Sequence, residues 1–148
     1  MDSFIRQLNI TTRCGNRFRE LRLSDTGLSG CQVPYLFVLY RRPGISQEEL
    51  SKALYINKSN VARQLSLLER EGYVRRENLP EDKRVSLVYP TEKAIAIKKR
   101  IIDVQHEWLE YLTADLSREE YAQLVHLMNC VTTRAEIFMK EGEGKCAL

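Results

Sequence analysis

The sequence predicts a mainly α-helical fold with a small β-wing, and three observations carry that expectation. Residues 57–72, NKSNVARQLSLLEREG, repeat apolar side chains at helical spacing. Residues 45–54 open on a helix-capping pattern and lead into that helix through a short turn. From Tyr73 to Tyr89 the period changes from helical to alternating, around a charged loop.

In chain order, Phe4, Leu8, Thr11, Cys14 or Gly15, Phe18 and Leu21 fall at helical spacing and predict a first amphipathic helix over 3–23. Ser24-Asp25-Thr26-Gly27 breaks it. Ser29 and Gln32 form a capping box, and Leu28 and Val33 are placed as a hydrophobic staple, so a second helix is expected over 30–41. It is apolar almost all round, which means burial on most sides. Pro34 lies in its first turn or just past it, at the expected cost of one hydrogen bond and a bend at the start. Arg42-Pro43-Gly44 ends it.

Ser46 caps a third helix and Glu49 completes its capping box, with Leu50, Ala53 and Leu54 facing inward. Tyr55-Ile56 makes a turn and Asn57 is a good N-cap for the fourth helix. There, Val61, Leu65 and Leu68 form one buried face. At 100° per residue, Ser59, Arg63, Ser66 and Arg70 point the opposite way, with Asn60 and Ala62 on the flanks. Gly72 stops the helix. Tyr73–Arg76 and Val85–Tyr89 read as strands around the loop 77–84. A long helix follows from Thr91 to about Leu112, with Ala94, Ile97, Ile101, Val104, Trp108 and Leu112 on one side. Ser117 and Glu120 open the last helix with a third capping box, and Tyr121, Leu124, Val125, Met128, Val131, Ala135 and Phe138 make its stripe. The expected division is a winged helix-turn-helix over 29–90, helical dimerisation regions over 1–28 and 91–140, and a flexible tail over 141–148.

Two short helices joined by such a turn form a helix-turn-helix, whose second helix enters a DNA major groove N-terminus first. Arg suits guanine, Asn suits adenine and Ser suits several base edges. Lys58, Ser59, Asn60, Arg63 and Ser66 are therefore the candidate contacts on the helix. A loop tipped with Lys83 and Arg84 suits the narrow minor groove, where negative potential draws cations. Asp82 beside them is expected to support the wing, by pairing with Arg63 or Arg84 and fixing it against the recognition helix. The first helix and the last two carry apolar stripes outside the winged unit. A homodimer, in which those helices meet their copies, is the economical way to cover them.

Composition narrows the classes. The chain has 148 residues, 43% hydrophobic and 29% charged, as an ordinary globular domain has. Net charge is only +3, and the winged segment 46–90 is nearly balanced, with eight basic residues against seven acidic. DNA binding must then depend on where charge is placed, not on its total. No Gly-rich phosphate loop, nucleophile elbow or His-Glu-x-x-His occurs, so an enzyme is not expected, and neither is a cofactor. The four cysteines form no Cys-x-x-Cys pair. His106 with Asp103 and Glu110 is better explained as solvated charge on a long helix than as a metal site. No apolar run approaches a membrane span, and the start, MDSFIRQLNITTR, lacks a signal-peptide core, so the expected location is the cytoplasm.

The order Leu68-Glu69-Arg70-Glu71-Gly72, Tyr73-Val74-Arg75-Arg76, Asp82-Lys83-Arg84 and Thr91-Glu92-Lys93-Ala94 closely resembles the MarR family of bacterial transcription regulators. The resemblance covers nearly the whole chain and is strongest between residues 45 and 94. Lys83 stands where an Arg is usual, and Ala94 where Gly is frequent. Lys83 keeps the charge but loses the planar fork. The resemblance implies a homodimeric repressor of double-stranded DNA at a pseudo-palindromic operator, released by a small phenolic or other aromatic effector or by oxidation. An effector would bind where the dimerisation helices meet the winged domain, which implies Phe18, Tyr35, Leu36, Leu39 and Tyr40 as lining. For oxidation, Cys14 lies near the family's reactive position in the first helix. Arg13 and Arg17 stand beside it, and cations favour the thiolate. Cys31 is a candidate resolving partner. The rival from another class is a winged-helix module that binds partner proteins without specific DNA binding.

Overall fold

A computed structural model describes residues 3–142. The expected tail over 141–148 lies outside them from residue 143 on. The chain divides into two compact units that part between Trp108 and Leu109.

The first unit opens with α1 (Ser3–Arg22) and α2 (Val33–Arg41). Next come β1 (Ile45–Ser46), α3 (Gln47–Leu54), α4 (Lys58–Arg70), β2 (Val74–Asn78) and β3 (Ser86–Pro90). It closes with most of α5 (Glu92–Thr113). The strands make one antiparallel sheet in the order β1-β3-β2, with Arg76 opposite Val88 and Ile45 opposite Val88 on the other side. This is a mainly helical winged helix-turn-helix, as expected.

Local chemistry sets the boundaries. The Ser46 hydroxyl accepts from the Glu49 amide at 3.2 Å, and the Glu49 carboxylate accepts from the Ser46 amide at 3.1 Å, a complete capping box. Asn57 caps α4 by accepting from the Asn60 amide at 2.8 Å. Between the two helices Tyr55 takes a left-handed conformation, φ 54°, and the buried Ser51 hydroxyl donates to the Ile56 carbonyl at 2.5 Å. Those contacts close the turn between α3 and α4. Ser51, not Ala53, supplies the third inward position, because its hydroxyl is needed there and Ala53 is left exposed. At the far end Gly72 adopts φ 79°, which costs a glycine little, and turns the chain into β2.

One core joins these elements. Leu36, Leu39, Leu50, Val61, Leu65, Leu68, Val88 and Ala94 have no exposed surface, and Leu23, Val33 and Ile101 have almost none. α1 is fastened to α5 by the Arg22–Glu107 pair, whose closest approach is 2.5 Å, and by Phe18 stacked on Trp108 at 5.0 Å. Arg100 binds Asp25 through two bonds, 2.6 and 2.8 Å, and so holds the α1–α2 turn to α5.

α2 starts at Val33, not at residue 30. Gly30 lies so close to the α1 backbone that a Cβ there would overlap the Asn16 carbonyl, and Arg19 donates to the Gly30 carbonyl at 3.1 Å. That tertiary contact holds residues 30–32 in a turn, and the Gln32 side chain accepts from the Ser29 amide at 2.9 Å. Strand β1 was not expected. The second strand starts one residue later than its alternation suggests and runs on to Asn78.

The second unit holds the end of α5 and α6 (Arg118–Gly142). The third capping box forms, with Ser117 and Glu120 bonded both ways at 2.8 and 3.2 Å. Among the described residues of this unit no side chain is buried, and Leu124, Val125, Leu127, Val131 and Phe138 are exposed.

The Asp25 carboxyl is drawn from its ordinary 3.8 to about 2, chiefly by the hydrogen bond from Arg100. A depressed carboxylate contributes stability above its unfolded pKa and loses it as pH falls through the folded one. Asp25→Asn should therefore lower the thermal midpoint at about pH 6, and the gap to wild type should narrow as pH falls below about 4 and close only below about pH 2. A gap independent of pH in parallel calorimetric scans would mean that the pair does not contribute through its charge.

Candidate nucleic-acid interface

The complete burial of Val61, Leu65 and Leu68 fixes the rotation of α4 about its own axis, so the opposite face must look outward. Lys58, Ser59, Arg63 and Ser66 are exposed there and Asn60 is half-buried on the flank. The structure thus brings the five sequence candidates onto one surface, and their local bonds differ. Lys58 Nζ is 3.2 Å from Glu48 of α3, which also holds Lys52 at 3.5 Å. The Lys58 hydrogen bond leads in pulling the Glu48 carboxyl below its ordinary range. Ser59 donates to Asn57 Oδ1 at 2.9 Å, beside the cap bond. Arg63 Nη2 donates to Asn60 Oδ1 at 3.1 Å, so the two candidate base readers hold each other in the free chain.

Ser66 is engaged differently. Its hydroxyl donates to the Ala62 carbonyl at 3.0 Å and accepts from Arg76 Nη2 at 3.3 Å. Arg76 in turn binds Glu69 Oε2 through Nη2 at 2.6 Å and Nε at 3.1 Å, and that bond leads in lowering the Glu69 carboxyl. A strand residue is therefore tied to two residues of the recognition helix.

The wing is the β2–β3 hairpin. Leu79 donates to the Val85 carbonyl at 3.1 Å and Val85 to the Asp82 carbonyl at 3.0 Å. Lys83 and Arg84 are exposed at its tip. The expected Asp82 pairing takes another form: its carboxylate accepts from the Arg84 main-chain amide at 3.0 Å and closes the tip turn locally. Among the described residues it makes no ion pair with Arg63, and the tie from wing to helix belongs to Arg76.

The residues expected to line an effector crevice separate. Tyr35, Leu36 and Leu39 are at most 1% exposed and belong to the core, while Phe18 is half-buried against Trp108. Tyr40 lies at the edge of the core, where its hydroxyl donates to the Ala94 carbonyl at 2.7 Å. Burial first, then Tyr73, pushes its phenol up to about 12. On its other side a cavity of about 330 Å³ lies between α2 and α5, lined by Phe37, Tyr40, Arg41, Lys98, Ile102, Gln105 and His106. The Tyr35 hydroxyl is buried without a hydrogen-bond partner. Cys14 and Cys31 are exposed free thiols, and Cys31 Sγ is 3.2 Å from Ser29 Oγ. Among the described residues no His, Cys, Asp and Glu cluster could hold a metal ion, and no helix is long and apolar enough to cross a membrane.

Comparison with known proteins gives a consistent set of likenesses. The model of the MarR family matches residues 26–85. The HTH-type transcriptional regulator YybA of Bacillus subtilis is 27% identical over 93 residues, 63% of this chain and 62% of that relative's length. A MarR transcriptional regulator from Methanosarcina mazei Go1 is 30% identical with a TM-score of 0.83, covering 92% of this chain and 99% of that one. A mutant MarR from E. coli complexed with operator DNA is 27% identical with a TM-score of 0.77, covering 88% of this chain and 99% of that one.

Asn57 serves both the α4 N-terminus and Ser59, so Asn57→Ala should cost about 1 kcal/mol of stability in a urea titration. No change in the urea midpoint would show that water caps the helix equally well.

Proposed function

This chain belongs to the MarR family of winged-helix, DNA-binding transcription regulators, which are not enzymes, and we propose that it acts as a homodimeric repressor at a pseudo-palindromic operator. The observation that carries this reading is the outward face of α4, where Lys58, Ser59, Asn60 and Arg63 stand together at the helix N-terminus while the opposite stripe is fully buried. That end of the helix enters the major groove, and Lys83 and Arg84 on the wing reach the neighbouring minor groove. The similar MarR bound to operator DNA supports the same use of the fold.

Dimerisation is supported by the apolar side chains left uncovered in one chain. Ile5 and Ile10 of α1 are 46% and 40% exposed, and Leu127 and Phe138 of α6 are 54% and 72% exposed. Isologous packing of these helices against their copies would cover them and set two α4 helices about 34 Å apart, one turn of DNA. Release follows if an inducer favours a dimer in which that spacing is wrong, since a ligand shifts an equilibrium only by its differential affinity. A small aromatic effector fits the α2–α5 cavity beside Tyr40, and oxidation would act at Cys14, with Cys31 as partner thiol.

The test is a gel shift with the DNA flanking its own gene, across a salt series and against competitor DNA. Binding should weaken steeply with salt yet survive the competitor. Arg63→Ala should cost about 1–3 kcal/mol, roughly a tenfold to hundredfold loss of specific affinity, and leave non-specific binding nearly intact. Release by mild peroxide that a thiol reverses favours the cysteines, and release by aromatic acids alone favours the cavity. Specific binding unaffected by Arg63→Ala would overturn the assignment of α4 as the reader.

A further inference from the structure

We propose that Arg76 and Glu69 form a bracket that sets the wing against the recognition helix, with Ser66 as its third member and not a base contact. The proposal rests on the DNA-binding reading above and names the residues that position its second contact.

The hairpin needs such a bracket. Strand β2, Val74–Asn78, at ~3.3 Å per residue, is roughly 16 Å long, and the tip turns beyond it. An angular error of about 10° at the base would move the tip by about 3 Å, a full hydrogen-bond length. Among the described residues the tip's hydrogen bonds are to itself, through Leu79–Val85, Val85–Asp82 and the Arg84 amide on Asp82. Among the described residues, the side-chain hydrogen bonds that join this hairpin to α4 come from Arg76, which reaches Glu69 and Ser66 at once. Its side chain is 27% exposed and that of Glu69 40%, so the pair is partly withdrawn from water. Arg76 also stands in the register that pairs β2 with Val88, at the middle of the sheet, where a fixed guanidinium constrains both strands.

The bracket explains two further facts. A carboxylate on the flank of a helix that approaches phosphates opposes binding on charge alone, yet Glu69 is there and bound to Arg76. Ser66, although outward, spends its hydrogen on Ala62 and a lone pair on Arg76, which leaves it poorly placed to read a base. The competing account makes Arg76 a direct phosphate contact.

Glu69→Gln separates the two, because it keeps Arg76 and removes the negative charge. Binding is measured to a duplex selected from a random pool by the wild-type protein, across a salt series, beside hydrogen exchange of residues 79–85 in the free protein. The bracket predicts that Glu69→Gln weakens binding about tenfold and flattens the log–log salt slope by about 1–2, the share of Lys83 and Arg84. In a Lys83→Ala/Arg84→Ala background the same change should add less than about twofold, because the wing no longer contributes. Wing exchange should rise while that of α4 holds. Binding that is unchanged or tighter, with wing exchange unchanged, would overturn the proposal and leave Arg76 to a direct contact. If the wild-type protein selects no duplex, the DNA reading fails, and the exchange measurement still decides whether the bracket holds the wing.

Discussion

The surface proposed to face DNA depends on one packing constraint, the complete withdrawal of Val61, Leu65 and Leu68 from water. Each such side chain contributes on the order of 2 kcal/mol by burial, far more than any single polar contact on the opposite face. The stripe therefore decides the rotation of α4, and the polar face is simply what remains. Its two ends are fixed by other means: Asn57 caps the start, and Gly72 turns the chain into β2. Lengthwise position follows from the left-handed turn at Tyr55 and the Ser51–Ile56 bond, which hold α4 to α3. The wing tip, residues 79–85, has no buried side chain of its own in this core, and a guanidinium bracket answers that need.

Charge on this surface is placed in pairs. The segment from 46 to 90 is nearly neutral, and two cations proposed to meet DNA from α4 are already held, Lys58 by Glu48 and Arg63 by Asn60, while Arg76 is held by Glu69 and Ser66. Exposed pairs of this kind are worth about 0–1 kcal/mol, so Lys58 and Arg63 can exchange their partners for DNA at small cost. Arg76 differs, since it is more buried and bound through two nitrogens, as a structural tie should be. The same chemical group thus serves two purposes, separated by how much water reaches it.

Most of this was legible in the sequence because it is local. The capping boxes at Ser46 and Ser117 and the cap at Asn57 involve residues three apart, and the α4 stripe repeats over two turns. What was not legible is non-local or short. The α2 start is displaced because Gly30 meets the Asn16 carbonyl, a contact between segments fourteen residues apart that no capping pattern reports. β1 has two residues, too few for any alternation to show. Asp82 reads as a partner for a distant Arg, yet its carboxylate is satisfied two residues away by a main-chain amide. Arg76 reads as an ordinary strand residue; the available signal was Glu69, an acid on the flank of a DNA-facing helix that needed a cation. Tyr35, Leu36 and Leu39 form the core because an apolar stripe does not distinguish a wall from a filled interior, and the cavity beside Tyr40 arises only when α5 crosses α2.

The most direct measurement is a hydroxyl-radical and methylation-protection footprint of the protein on a selected duplex. The account predicts two patches of major-groove protection centred about 10 base pairs apart, each flanked on its outer side by minor-groove protection from a wing. A single patch, or protection that does not change when the selected sequence is scrambled, would contradict the assignment of α4 and the wing as a paired, sequence-reading surface.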